Sequence, residues 1–447
     1  MASRPARQSS SLWRHRDFLL LWAGQCVSET GSAVTTLALP LTAVVVLRAS
    51  TLEIGLLSAA TTAAFLFIAL PSGALVDRMA KRRVMVVCDA ARMLVIGSVP
   101  LAAATGVLTL GQLFGVALVA GVATVFFDVS YQSYVPTLVR RDQLIDANGK
   151  LTTTAELARV AGPGVGGGLV GLVGAAGAMT ADAVSYAVSV ASLLAIRTRE
   201  PREVTGDAGP SAPRRGLREL GRDTAAGLRF VLAEPVLRKI VACTGTSNLF
   251  GSMMAALEIV FLVRILHVTP AGTGLLVALS ALGGVAGGAL CARLSRWIGS
   301  ARIIWVAIVG FGATLFLVPL ARPGWGVAFY VVGWAGFSFS SVTYNVAQVS
   351  YRQAICPPEL MGRMNAAVRW IVWGTLPLGG LLGGALGSAL GVRPTMWVGA
   401  AGAWLGGLWL LFSPLRTMRD TPAQDRVGAT DPAGPELPDT ALPSTQP

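Results

Sequence analysis

Apolar runs of 20 or more residues follow one another along almost the whole chain, and as a helix each run is long enough to cross roughly 30 Å of hydrocarbon. The apolar residues cluster instead of alternating with polar ones, so no soluble core of ordinary proportions accommodates them and lipid is the solvent they require. With 53% hydrophobic and only 13% charged residues among 447, composition points the same way.

Reading the runs between charged or Pro/Gly breaks predicts spans near 18–47, 52–76, 84–107, 110–133, 146–172 and 176–196, then near 238–266, 272–293, 302–320, 326–350, 362–390 and 394–414. The expectation is an all-α integral membrane protein with twelve transmembrane helices in two pseudo-symmetric six-helix bundles, over 18–196 and 238–415. Residues 1–17 read as a polar tail, and 197–237 as a linker whose end, Leu217 to Leu232, has the pattern of an amphipathic surface helix. Residues 416–447 read as a disordered tail.

The net charge of +13 raises the question of a nucleic-acid partner, and the position of the charge answers it. Arg4, Arg7, Arg14 and Arg16 precede the first span, a basic group occupies Arg78 to Arg83, and another runs from Arg197 to Lys239. The loops between are almost uncharged, so the pattern is topological. It puts both termini and the middle loop in the cytoplasm of a cell-membrane protein with an even number of crossings, and it excludes nucleic acid. The scattered cysteines, Cys26, Cys88, Cys243, Cys291 and Cys356, read as free thiols.

The two halves repeat. Gly55-Leu56-Leu57 recurs as Gly274-Leu275-Leu276, Gly73 as Gly288, and Arg78 as Arg293. Asn148, Gly162, Gly166 and Gly167 are answered by Asn365, Gly379, Gly383 and Gly384, all at offsets between 215 and 219. A steady offset across glycine-rich helices marks two parallel six-helix units, an architecture of transporters.

Four stretches carry a family resemblance. The turn after the second span reads Gly73-Ala74-Leu75-Val76-Asp77-Arg78-Met79-Ala80-Lys81-Arg82-Arg83; topology explains its bases but calls for no acid at Asp77. It resembles the signature loop of the major facilitator superfamily, with Ala80 where the family has a second glycine. The fifth span contains Gly162-Pro163-Gly164-Val165-Gly166-Gly167, similar to the Gly-Pro-x-x-Gly-Gly motif of exporters in that superfamily. Glycines four apart let helices touch, and a proline bends the axis, so this stretch can pack and hinge. Phe126-Phe127-Asp128 and Gly362-Arg363-Met364-Asn365-Ala366 resemble the branch that contains siderophore and macrolide exporters.

The resemblance implies a drug:proton antiporter-like protein whose bundles rock about a central cavity. A carboxylate at Asp77 would face the N-terminal dipole of the eleventh helix, and Lys81 would pair with Asp128 at the inner end of the fourth. Helices one, four, seven and ten would line the cavity, contributing Gln25, Phe127, Asn248, Phe250, Tyr344, Asn345 and Gln348. Packing side chains at helical spacing would look the same.

Ionisable groups at membrane depth are costly and face a cavity or a partner. Glu29 lies about eleven residues into the first span, roughly 16 Å deep, and is the first candidate for a proton-coupling carboxyl, although a structural acid would read the same. Asp128 is a further candidate, as are Asp182 and Glu258, which are expected in the outer halves of spans six and seven with access to water. Glu156 and Arg159, three apart on one helix, read as a self-neutralising pair.

No phosphate-binding loop, nucleophile motif or metal-ligand cluster occurs in the sequence, so no cofactor, metal or enzymatic activity is expected. Three functions stay open: a proton-coupled exporter of a small amphipathic molecule, working as a monomer; an uptake symporter of the same fold; and a non-transporting membrane receptor or scaffold.

Overall fold

The computed structural model describes residues 12, 15–76, 79–140, 143–198, 228–356 and 360–420. Among them the regular elements are helical, and nine helices are long and apolar enough to cross a membrane. The first half comprises α1 (Arg16–Leu41, continued by a π-helical turn over Thr42–Val46), α2 (Thr51–Phe67, resumed after Ile68 as Ala69–Val76), α3 (Lys81–Ala104) and α4 (Leu110–Leu138). A 52-residue helix, Leu144–Ala195, then breaks at Gly174, where φ is 77° and ψ 166°. That left-handed backbone costs a side chain dearly and glycine little, so the chain reverses there and the helix divides into α5 and α6.

The second half comprises α7 (Pro235–Val260, continued by a π-helical turn over Phe261–Ile265), α8 (Pro270–Ile298), α9 (Arg302–Gly310, tightening into a 3-10 helix over Phe311–Leu320) and α10 (Val327–Ile355). It closes with α11 (Met361–Leu390) and α12 (Val392–Leu405, with a last turn over Leu408–Leu411). One of the nine long apolar segments holds both α5 and α6, and α2 and α12 fall outside the nine because each is interrupted or short.

Local chemistry fixes the helix starts. Ser50 caps α2 in a reciprocal box with Glu53, whose Oε2 accepts from the Ser50 backbone N at 2.7 Å. Thr109 caps α4, and Thr269 caps α8 ahead of Pro270, each supplying an oxygen to a backbone N–H that has no partner in the helix.

The repeat seen in the sequence is a repeat of structure. The π-helical turns that end α1 and α7 each span five residues, and each is followed by a non-glycine residue in the left-handed region, Arg48 with φ 51° and His267 with φ 55°. The repeated glycines meet crosswise. A methyl group added to Gly384 on α11 would lie 2.9 Å from Gly55 Cα on α2, and one added to Gly167 on α5 would lie 2.8 Å from Gly274 Cα on α8. Two backbones approach this closely only where neither carries a Cβ. Both crossings lie near the end of the bundle away from Arg16 and Leu415, here called the far end. There too Arg264 Nη2 donates to the Ala49 carbonyl at 2.5 Å, strapping one half to the other.

One sequence expectation changes. The chain after Arg416 is not irregular from its start: Ala301 N donates to Arg419 O at 3.0 Å, and Ser300 N to Asp420 Oδ1 at 3.1 Å, so this segment docks on the α8–α9 turn. Most of the linker and of the surface helix expected over 217–232 lies outside the described residues, while 228–233 is helical. None of the five cysteines forms a disulfide.

Candidate transport cavity

A cavity of about 710 Å³ lies between the halves. Helices α1 to α6 supply most of its wall, and the second half adds Ala255, Ala256, Glu258 and Ile259 from α7 and Val277 from α8. Apolar side chains alternate with hydroxyls, among them Ser28, Ser32, Ser58, Thr61 and Thr124. This combination suits a ligand with an apolar body and a few polar groups.

Glu29, Asp128, Asp182 and Glu258 all line this one cavity. Glu29 is exposed into it. Asp182 is fully buried, with Oδ1 accepting from Ser185 Oγ at 3.1 Å, and Gly31 on α1 makes room for both. The expectation that Asp182 meets water in the outer half of its helix is therefore corrected: α6 turns that face onto α1. Glu258 accepts a hydrogen bond from the hydroxyl of Tyr330, a fully buried residue of α10.

The helices set Asp128 apart from Lys81, contrary to the pairing that the resemblance implied. Lys81 opens α3, whereas Asp128 stands ten residues before the end of α4, roughly 15 Å along the axis. Its electrostatic neighbours are Arg92, Glu29 and Arg369. Glu156 and Arg159 do sit together, at 3.8 Å, with Arg159 also at the cavity wall.

Of the cavity candidates, Gln25 and Phe127 line the space. The five from the second half do not. Tyr344 is buried between α7 and α10, its hydroxyl 2.7 Å from Thr244 Oγ1 and 3.1 Å from the Ile240 carbonyl it donates to. Asn345 accepts from Gln348 Nε2 at 2.9 Å along α10. Asn248 donates to the Val372 carbonyl at 3.2 Å, and Phe250 packs over Gly402 of α12. Tyr344, Asn248 and Phe250 tie the second half together, because the rotation of α7 and α10 turns those faces toward α11, α12 and each other, whereas Asn345 is exposed and bonds within its own helix.

Of the signature stretch, Gly73 lies within the helical segment Ala69–Val76 with open space beside it; Asp77 and Arg78 lie outside the described residues. Arg82 donates from Nε to Leu193 O and from Nη2 to Leu194 O, each at 2.8 Å. It thereby satisfies carbonyls that the end of α6 leaves open. In the glycine-proline stretch, Gly162 packs on Ala33 of α1, and a methyl on Gly166 would lie 3.2 Å from Val34 Cα. Gly167 faces α8, and Pro163 lines the cavity. α5 is thus pressed against α1 on one side and the other half on the second.

The sequence reading missed the best-built charge in the molecule. Asp89 and Arg92, a turn apart on α3, form an ion pair in which both side chains are buried. Ser189 Oγ on α6 donates to Asp89 Oδ2 at 2.6 Å, and the Arg92 guanidinium stacks between Phe127 and Tyr186, 4.6 and 4.5 Å from the ring centres. The signal was available: Asp and Arg at i, i+3 in an apolar run are tolerated only as a pair.

Comparison with known proteins agrees with this architecture. The multidrug efflux pump Tap of Mycolicibacterium fortuitum is 25% identical over 407 residues, covering 89% of this chain and 95% of its own. That of Mycobacterium tuberculosis is 26% identical over 397 residues, covering 85% and 88%. Among solved structures, the nucleoside transporter NupG superposes with a TM-score of 0.67 at 14% identity, covering 88% of this chain and 98% of its own. A bacterial homologue of the lysosomal transporter Spinster gives 0.66 at 16%, covering 90% and 97%. The family model described as transmembrane secretion effector, of the major facilitator type, matches residues 9–433, and the chain belongs to that family.

Proposed function

We propose that this protein is a secondary active transporter of the cell membrane that exports a small amphipathic molecule, of the drug or secondary-metabolite kind, in exchange for protons and as a monomer. The observation that carries the reading is the central cavity, in which four carboxyls share one wall system with hydroxyls and apolar side chains. A carboxyl in a space that alternates between two media can take up a proton on one side and release it on the other. The multidrug efflux activity named for the Tap relatives supports drug-like cargo and the outward direction.

In this reading 18–196 and 238–415 are the two moving bundles, the termini and the linker lie in the cytoplasm, and the glycine crossings and the Arg264 strap seal the far, external side. Glu29, Asp128, Asp182 and Glu258 are the coupling carboxyls, Gln25 and Phe127 contact cargo, and the loop with Gly73, Asp77, Arg78, Lys81 and Arg82 gates the inner side. Bacteria expressing the protein should accumulate less of a panel of lipophilic dyes and antibiotics than controls, and a protonophore should remove the difference. Equal accumulation across the panel refutes transport of such cargo; greater accumulation indicates uptake.

A further inference from the structure

Arg92 has two faces. On one, Asp89 and Ser189 hold the guanidinium in place, and Phe127 and Tyr186 clamp its plane from either side. On the other it borders the cavity, its Nη1 3.5 Å from Thr124 Oγ1, one helical turn before Asp128. Glu29 of α1, Asp128 of α4 and Asp182 of α6 line the same cavity as Arg92; Phe127, on which the guanidinium stacks, directly precedes Asp128, Tyr186 stands one helical turn after Asp182, and the Tyr186 hydroxyl lies 2.7 Å from Ser32 Oγ, three residues after Glu29. The remaining titratable groups facing it are Asp89 and Cys88 on its own helix and Tyr186 on α6. Arg159 and Glu156 of α5 also face Glu29, and Arg369 of α11 also faces Asp128.

Arg92 is the cation that these three cavity carboxyls of the first half have in common, and it is anchored by an acid outside the cavity wall. A clamped guanidinium cannot follow whichever carboxyl ionises, so its field reaches all three from one place. We propose that Arg92 is a positioning residue for proton coupling: the shared counter-charge that sets how readily Glu29, Asp128 and Asp182 give up their protons, with Asp89 as its anchor. Glu258, in the other half and hydrogen-bonded to Tyr330, serves as the internal control. The assignment rests on the proton-coupled reading above.

The test compares two variants that differ only in the charge of residue 92, Asp89→Asn and Asp89→Asn/Arg92→Gln. The second removes both members of the pair, which leaves no lone buried charge and favours folding. Infrared absorption of protonated carboxyls, followed against pH in purified protein without cargo, reads the titration directly; Glu29→Gln and Asp128→Asn in each background assign the bands. The midpoint for the first-half carboxyls should lie about one pH unit or more higher in the double variant than in Asp89→Asn, with the Glu258 band unmoved. Coincident midpoints in the two variants overturn the role of Arg92 and leave proton coupling standing. If no cavity carboxyl of the wild-type protein titrates between about pH 5 and 9, the coupling reading itself fails.

Discussion

Replacing Gly384 by alanine probes the seal between the halves with a single methyl group. That group would lie 2.9 Å from Gly55 Cα and 2.9 Å from Leu52 O, roughly 0.6–1 Å short of ordinary contact. Both neighbours are backbone atoms of α2, so no side chain can swing aside, and α2 and α11 must part. Overpacking of this kind costs about 1–3 kcal/mol. If the crossing exists only while the far end is closed, the whole cost falls on that state, and the ratio of closed to open shifts by about 5- to 150-fold. The assay is labelling of a cysteine placed at Ser58, a cavity residue of α2, by an impermeant reagent applied from the far side, with the five native cysteines replaced. Faster far-side labelling with unchanged thermal stability of the open state is expected. A lowered melting temperature with unchanged labelling would refute the reasoning, since the crossing would then persist in every state.

Other consequences follow from single contacts. Arg264→Ala removes the charged hydrogen bond to the Ala49 carbonyl, about 1.5–3 kcal/mol, and should raise far-side labelling of the same cysteine in the same direction as Gly384→Ala. Asp89→Ala leaves the Arg92 charge buried without its partner and should cost about 3–5 kcal/mol, measured by thermal unfolding in detergent, whereas Asp89→Asn/Arg92→Gln should cost less. Glu258→Gln keeps an acceptor for the Tyr330 hydroxyl but cannot exchange a proton; it should retain the fold and lose gradient-driven efflux, and full protonophore-sensitive efflux would exclude Glu258 from coupling.

Much of this architecture was legible in the residues. Long apolar runs are set by hydrocarbon thickness, and the glycine repeat by close backbone approach, so Gly55 with Gly274 and Gly167 with Gly384 could be paired by offset before any coordinates. The contact they make was less legible: each glycine meets the mate of the other pair, across the halves. Faces were harder still. Hydropathy says that Tyr344, Asn248 and Gln348 are interior, but it cannot say whether a nearly uniform helix turns them to a cavity or to a neighbour, and here they bind neighbouring helices or their own. Asp128 was found as an ionisable group at depth but misassigned when a family pairing was laid over its distance from Lys81. Asp89 and Arg92 were passed over because a run is scored by its mean, and two opposite charges a turn apart scarcely move it.

The account stands on two halves that move against each other about the cavity. Spin labels at Thr137 and Gln353, near the Arg16 end of α4 and α10, and a second pair at Thr105 and Arg322, near the far end of α3 and α9, measure the gap between the halves at each end. Electron–electron distance distributions taken across the pH range in nanodiscs should change in opposite senses, one gap widening as the other narrows. Two gaps that stay fixed, or that widen together, would contradict it.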